Sequence, residues 1–176
     1  SLLSNPVSAE MLEWARSVGL HCITLSPKEF PDRTRYDDAL ADLVAGFAPG
    51  LVVLAGFMRI LGPAFVDRFA GRMLNIHPSL LPAFPGLHTH RRAIEAGCKI
   101  AGATVHFVTA QLDHGPIVLQ AAVPVLPNDD EDSLSARVLA QEHVIYPRAV
   151  RWFVQGQLRT ERGVVTQALG EPQLIT

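Results

Sequence analysis

An α/β fold built on a mainly parallel sheet is what this sequence predicts, and three observations carry the expectation. Short apolar runs alternate with segments of helical periodicity along the chain, the pattern of strand–helix–strand units. One run, Leu51-Val52-Val53-Leu54-Ala55, is apolar without interruption, as a parallel strand covered on both faces should be. The composition, 48% apolar and 18% charged over 176 residues, is that of one globular domain able to bury a core without disulfides.

The elements follow in order. Ser1 to Asn5 reads as the end of a strand running into a loop. Ser8 to Val18 carries Met11, Leu12, Ala15 and Val18 at helical spacing, and Gly19 can close that helix. Leu20 to Leu25 is a short strand that Ser26-Pro27 ends. Thr34 to Asp37 has the form of a capping box, opening a helix that runs to about Ala48 with Leu40, Leu43, Val44 and Phe47 as its stripe. Pro49-Gly50 breaks it before the strand at Leu51.

Pro63 suits the first turn of a short helix. Arg72 to Ile76 is the next strand, and Pro78, Pro82 and Pro85 make a loop of the residues after it. A helix from about His90 to Ala96 ends at Gly97. Ala103 to Val108 and Ile117 to Val125 are strands around a turn-rich loop, Thr109 to Pro116. The acidic run Asp129 to Asp132 favours the dipole of a long helix from about Ser133 to Phe153. The residues after Gly156 are expected to form a small hairpin.

The charge balance excludes several classes of function. Fifteen basic against seventeen acidic residues leave a formal charge of −2, without the basic excess that nucleic-acid binding needs. Mean hydropathy is slightly positive at +0.21. Yet the longest apolar stretch, Leu51 to Phe65, is interrupted by Arg59, Gly62 and Pro63 and falls short of the ~20 residues that span a bilayer. With no signal-peptide pattern and only Cys22 and Cys98, a reducing cytoplasm is the expected setting.

Asn75-Ile76-His77-Pro78 is the most informative segment. Residues two apart in a strand face the same way, so Asn75 and His77 project together at a strand's carboxyl end, where open α/β sheets bind ligands. An amide beside an imidazole can polarise a carbonyl and move a proton; the plainer alternative is a pair of strand-end residues satisfied by backbone. Asp113 precedes Gly115-Pro116 and suits a turn on structural grounds alone. Brought near His77, its carboxylate would instead favour the imidazolium and raise the His77 pKa. His106 lies on a strand and supports such a site from behind. His88 and His90 have no Cys or carboxylate close in sequence to complete a metal site, and no zinc-type spacing occurs elsewhere.

Taken together and in order, Gly56-Phe57-Met58-Arg59-Ile60-Leu61, Asn75 to Pro82, Phe84 to His90, Gly102 to Val108, Leu112 to Pro116 and Gln141 to Pro147 resemble the phosphoribosylglycinamide formyltransferase family over nearly the whole chain. The resemblance implies a Rossmann-like three-layer formyltransferase fold, its mainly parallel central sheet carrying an antiparallel C-terminal part. It implies transfer of a formyl group from 10-formyltetrahydrofolate, as co-substrate, to the amine of glycinamide ribonucleotide in purine biosynthesis, with no metal. Asn75, His77 and Asp113 match the family's catalytic trio: Asn75 donates to the oxyanion, His77 is general acid and oxyanion stabiliser, and Asp113 raises the His77 pKa. Arg33, Met58, Arg59, Ile60, Leu61, Asn75, Phe107 and Val108 match folate-binding positions, and Gly56, Phe57 and Glu142 match positions near the ribonucleotide. A first strand and a phosphate-binding loop precede the matching point in the family, so residues 1–176 are expected to be a single domain that is incomplete at its N-terminus. The same scaffold also serves formyltetrahydrofolate hydrolase, with water in place of the amine, and an inactive folate-binding domain is the remaining alternative.

Overall fold

The computed structural model describes residues 2–4, 9–56 and 60–176, and the chain divides into two compact units, Ser1–Ala48 and Pro49–Thr176. In the first, β1 (Leu2–Ser4) pairs in parallel with β2 (Cys22–Thr24), with α1 (Ala9–Ser17) between them in sequence. Gly19 closes α1 as its periodicity predicts. At φ +77° it lets its own N–H reach the Arg16 carbonyl at 3.0 Å and the Leu20 N–H reach Ala15 at 2.9 Å, the paired bonds of a Schellman ending. The next helix, α2 (Arg33–Gly46), starts differently from the expectation at Thr34. Asp32, extended at φ −152°, is the cap, and its carboxylate accepts the Arg35 N–H at 2.8 Å. Thr34 is already helical and cannot take the extended backbone a cap needs.

The second unit holds a five-stranded sheet in the order β3 (Val52–Leu54), β4 (Met73–His77), β5 (Ile100–Phe107), β6 (Ile117–Pro124), β9 (Leu174–Ile175). The β3–β4 pairing is parallel, whereas β4–β5 and β5–β6 are antiparallel. The β6–β9 pairing is again parallel, so the sheet is mixed, with the antiparallel part that the resemblance implies lying at β4–β5–β6. The expectation that β3 is covered on both faces fails at Val53, which is 46% exposed. Among the described residues β3 pairs with β4 alone and stands at the edge of this sheet.

Among the described residues this unit adds α3 (Pro63–Arg68), α4 (Thr89–Glu95) and α5 (Glu131–Val154). The last begins at a reciprocal cap. Asp130 accepts the Ser133 N–H at 2.8 Å while Ser133 Oγ accepts the Asp130 N–H at 3.0 Å, satisfying two amides that a helix start leaves free. Leu134, Val138, Ile145, Ala149 and Trp152 have no exposed surface; they are the stripe by which α5 packs on β5 and β6. Tyr146 adds a polar tie, its hydroxyl 2.6 Å from the Leu54 carbonyl and 2.9 Å from that of Leu74. Burial raises its pKa.

The C-terminal hairpin is present as β7 (Leu158–Glu161) and β8 (Val164–Gln167). β9 is an addition that the sequence does not announce, since two residues are too few to show alternation. Among the described residues no helix is long and apolar enough to cross a membrane.

Candidate active site

The site is set by one antiparallel register. Asn75 on β4 lies opposite His106 on β5, and His77 lies opposite Thr104. Facing residues of an antiparallel pair share a side of the sheet, so Asn75, His77, His106 and Thr104 all project one way. Ile76 and its partner Val105 project the other way. A cleft of about 510 Å³ is lined by Asn75, His77 and His106 of this set, with Thr104 buried beneath them.

His77 is held from both ends of its ring. Nε2 lies 3.0 Å from the Phe84 carbonyl; a carbonyl only accepts, so Nε2 carries a hydrogen. Nδ1 faces Asp113 Oδ2 at 3.5 Å. Both nitrogens therefore face acceptors. Asp113 is consequently more than the turn residue its context suggests. Its backbone is left-handed at φ +53°, which Asp tolerates better than most residues, and its side chain is only 7% exposed. The Gly86 N–H donates to its Oδ2 at 2.8 Å.

Asn75 is oriented by His106. His106 Nδ1 donates to the Phe107 carbonyl at 2.9 Å, so in the neutral ring Nε2 is bare and accepts from Asn75 Nδ2 at 3.2 Å. Burial pushes the His106 pKa down, against the opposing pull of the Phe107 carbonyl and of Asp113. The neutral ring is the form this bond requires.

Behind the site runs a buried polar network that sequence reading misses. Thr104 Oγ1 donates to the Ser79 carbonyl at 2.7 Å and accepts from the Leu81 N–H at 3.0 Å and from Gln120 Nε2 at 2.9 Å. Gln120 also donates to the Leu81 carbonyl at 3.0 Å. A Thr and a Gln on neighbouring strands thereby tether the start of the 78–88 loop, and only the pairing of β5 with β6 shows that they meet.

The remaining candidates divide. Gly56, Ile60, Leu61, Val108 and Glu142 line the cleft. Burial raises the Glu142 pKa, with the nearby His143 and His77 pulling the other way. The Phe107 side chain lies in the core, 8% exposed and with its ring centroid 6.1 Å from that of Phe153. What it offers the site is the carbonyl that fixes His106. Phe57, Met58 and Arg59 lie outside the described residues. Arg33 belongs to the first unit, where it pairs with Asp37 at 3.6 Å. His88 and His90 also line the cleft, and burial lowers the His90 pKa.

The chain is similar to known proteins along most of its length. The family model described as formyl transferase matches residues 1–150. The phosphoribosylglycinamide formyltransferase of Escherichia coli strain K12 is 54% identical over 159 residues, 90% of this chain and 75% of that protein. The solved glycinamide ribonucleotide transformylase 1 from Symbiobacterium toebii superposes with a TM-score of 0.89 at 49% identity, covering 94% of this chain and 78% of that one. A formyltetrahydrofolate deformylase from Pseudomonas syringae superposes with a TM-score of 0.79 at 29% identity, covering 90% of this chain and 52% of its own.

Proposed function

The chain belongs to the formyl transferase family, and from that premise we propose that it moves the formyl group of 10-formyltetrahydrofolate to the amine of glycinamide ribonucleotide, a step of purine biosynthesis. The amine nitrogen bonds to the formyl carbon, and the carbonyl oxygen becomes an oxyanion. The carbon–nitrogen bond to the folate then breaks. The folate nitrogen takes up a proton, and the amine gives one up.

The observation that carries this reading is His77, with Phe84 O at 3.0 Å from one nitrogen and Asp113 at 3.5 Å from the other, beside the Asn75 amide. Asn75 has one N–H committed to His106 and a second available to the oxyanion. His77 supplies the other hydrogen from Nδ1, which stands at 3.5 Å from Asp113 while Nε2 is held at 3.0 Å by the Phe84 carbonyl, and delivers that proton to the departing folate nitrogen. Each donor aimed at a developing oxyanion is worth about 2.7–4 kcal/mol. Asp113 keeps the imidazolium paired and orients water that carries the proton lost by the amine.

The folate occupies the stretch of cleft walled by Ile60, Leu61, Val66 and Val108, an apolar wall with few polar anchors. Glu142 faces the ribonucleotide's amine end. By the family resemblance alone, Arg33, Met58 and Arg59 match folate-binding positions and Phe57 a position near the ribonucleotide.

The test is a formyl-folate consumption assay with and without glycinamide ribonucleotide. Amine-dependent loss of the formyl group supports the transferase. Equal loss without the amine would assign hydrolysis, the activity in the Pseudomonas syringae relative's name, to the same trio. Folate binding without turnover would leave a binding domain.

A further inference from the structure

We propose that Arg92, on α4, is a positioning residue for this reaction, strapping the Phe84–Leu87 loop into the shape that aims His77 and Asp113. The inference rests on the function proposed above for its kinetic readout, but not for its structural one.

The loop controls both ends of the His77–Asp113 pair. Its Phe84 carbonyl takes the His77 Nε2 hydrogen at 3.0 Å, and its Gly86 N–H holds Asp113 Oδ2 at 2.8 Å. Its backbone is an unusual one to hold. Phe84 at φ +53°, Gly86 at +78° and His88 at +57° are all left-handed, a region in which a bulky L-residue persists only where its surroundings enforce it. His88 also sits at the N-cap of α4 without supplying a side-chain cap.

Arg92 supplies enforcement from three directions. Its Nη1 donates to the Pro85 carbonyl at 2.6 Å and to the Leu87 carbonyl at 3.2 Å, and its guanidinium lies 5.4 Å from the centroid of the Phe84 ring. Pro85 has no N–H, so its carbonyl is the one backbone group by which that residue can be tied. A planar guanidinium can face an aromatic ring while donating sideways to carbonyls, which an ammonium cannot match. The strap therefore touches Phe84, Pro85 and Leu87 without contacting the reacting groups. Small displacements of catalytic groups carry large kinetic penalties.

The experiment compares the wild-type chain with Arg92→Met and Arg92→Lys. Turnover and KM are measured for both substrates, and the imidazole proton on His77 Nε2 is followed by NMR. Arg92→Met is expected to lower kcat by roughly ten-fold while leaving each KM within about two-fold, and to lose the exchange-protected Nε2 proton. Arg92→Lys should fall between. An Arg92→Met protein that retains the protected His77 proton, or whose change is confined to KM, overturns the proposal. If the wild type transfers no formyl group, the functional reading fails by itself, and the NMR comparison still decides whether Arg92 sets His77. If Arg92→Met fails to fold, Arg92→Lys decides by the same readouts: unchanged kcat with an unchanged Nε2 proton overturns the strap.

Discussion

The Asn75 amide donates to His106 Nε2 at 3.2 Å, and only one tautomer of the neutral imidazole permits it. The Phe107 carbonyl, 2.9 Å from Nδ1, forces the hydrogen onto that nitrogen and leaves Nε2 to accept. The bond in turn fixes which end of the Asn75 amide is nitrogen, and so turns a donor toward the cleft. A main-chain carbonyl thereby sets the polarity of a side chain two residues removed in space.

Stability should report the neutral state of His106. Burial pushes its pKa below the ordinary 6.5, so the unfolded chain takes up a proton at that position before the folded chain does. The stability concerned is intact above about pH 6.5 and is lost as pH falls below it, toward the folded value. Thermal melts from pH 7.5 to 5 should show a steeper fall for the wild type than for His106→Gln. Parallel curves would refute the assignment.

Removing the oxyanion donors should act on turnover rather than on binding. Asn75→Ala and His77→Ala are each expected to slow the chemical step by roughly 10²-fold, with smaller effects on folate affinity. Single-turnover rates measured beside folate titrations check this. Near-normal rates in either variant would remove that residue from the mechanism.

Asp113→Asn separates charge from shape. Asn is at home in left-handed backbone and keeps an oxygen for the Gly86 N–H, so the melting temperature should stay close to that of the wild type. Turnover should drop by about 10-fold or more, because the imidazolium loses its anionic partner. Unchanged turnover would return Asp113 to the role of a turn residue.

Glu142 makes a prediction of opposite sign to His106. Burial raises its pKa above the ordinary carboxylate value of 4.5, so ionising it is harder in the folded chain. That penalty is absent below about pH 4.5 and develops as pH rises through the folded value. Glu142→Gln should therefore melt higher at pH 7 and show no such gain at pH 4. The side chain is partly open to the cleft, and solvent screening limits the gain to roughly 1–3 °C. An equal gain at both pH values would refute the ionisation account.

Thr104→Val tests the tether behind the site. The change is nearly isosteric but strands the Leu81 N–H, the Ser79 carbonyl and one hydrogen of Gln120. Each buried group left unpaired costs about 1–3 kcal/mol, so urea unfolding should show a loss of several kcal/mol at unchanged m-value. A loss below about 1 kcal/mol would mean that water replaces the hydroxyl.

Much of this protein is determined by its sequence alone. Local rules suffice for the helix that Gly19 ends, the strand that carries Asn75 and His77, the acidic start of α5 and the final hairpin, because caps, turns and periodicity act over a few residues. The ordered motifs also suffice to identify the family. Tertiary structure alone decided which distant groups meet. Antiparallel pairing set Asn75 against His106, and loop closure carried Asp113 to His77 across 36 positions of sequence. It turned Phe107 into the core rather than the cleft, and it gave Asp32 the cap that Thr34 seemed to offer. Nothing in the residues around Arg92 and Thr104 says which groups they bind. Their importance comes from the carbonyls that the fold brings within 3.2 Å of them, and a carbonyl leaves no mark in an amino-acid sequence.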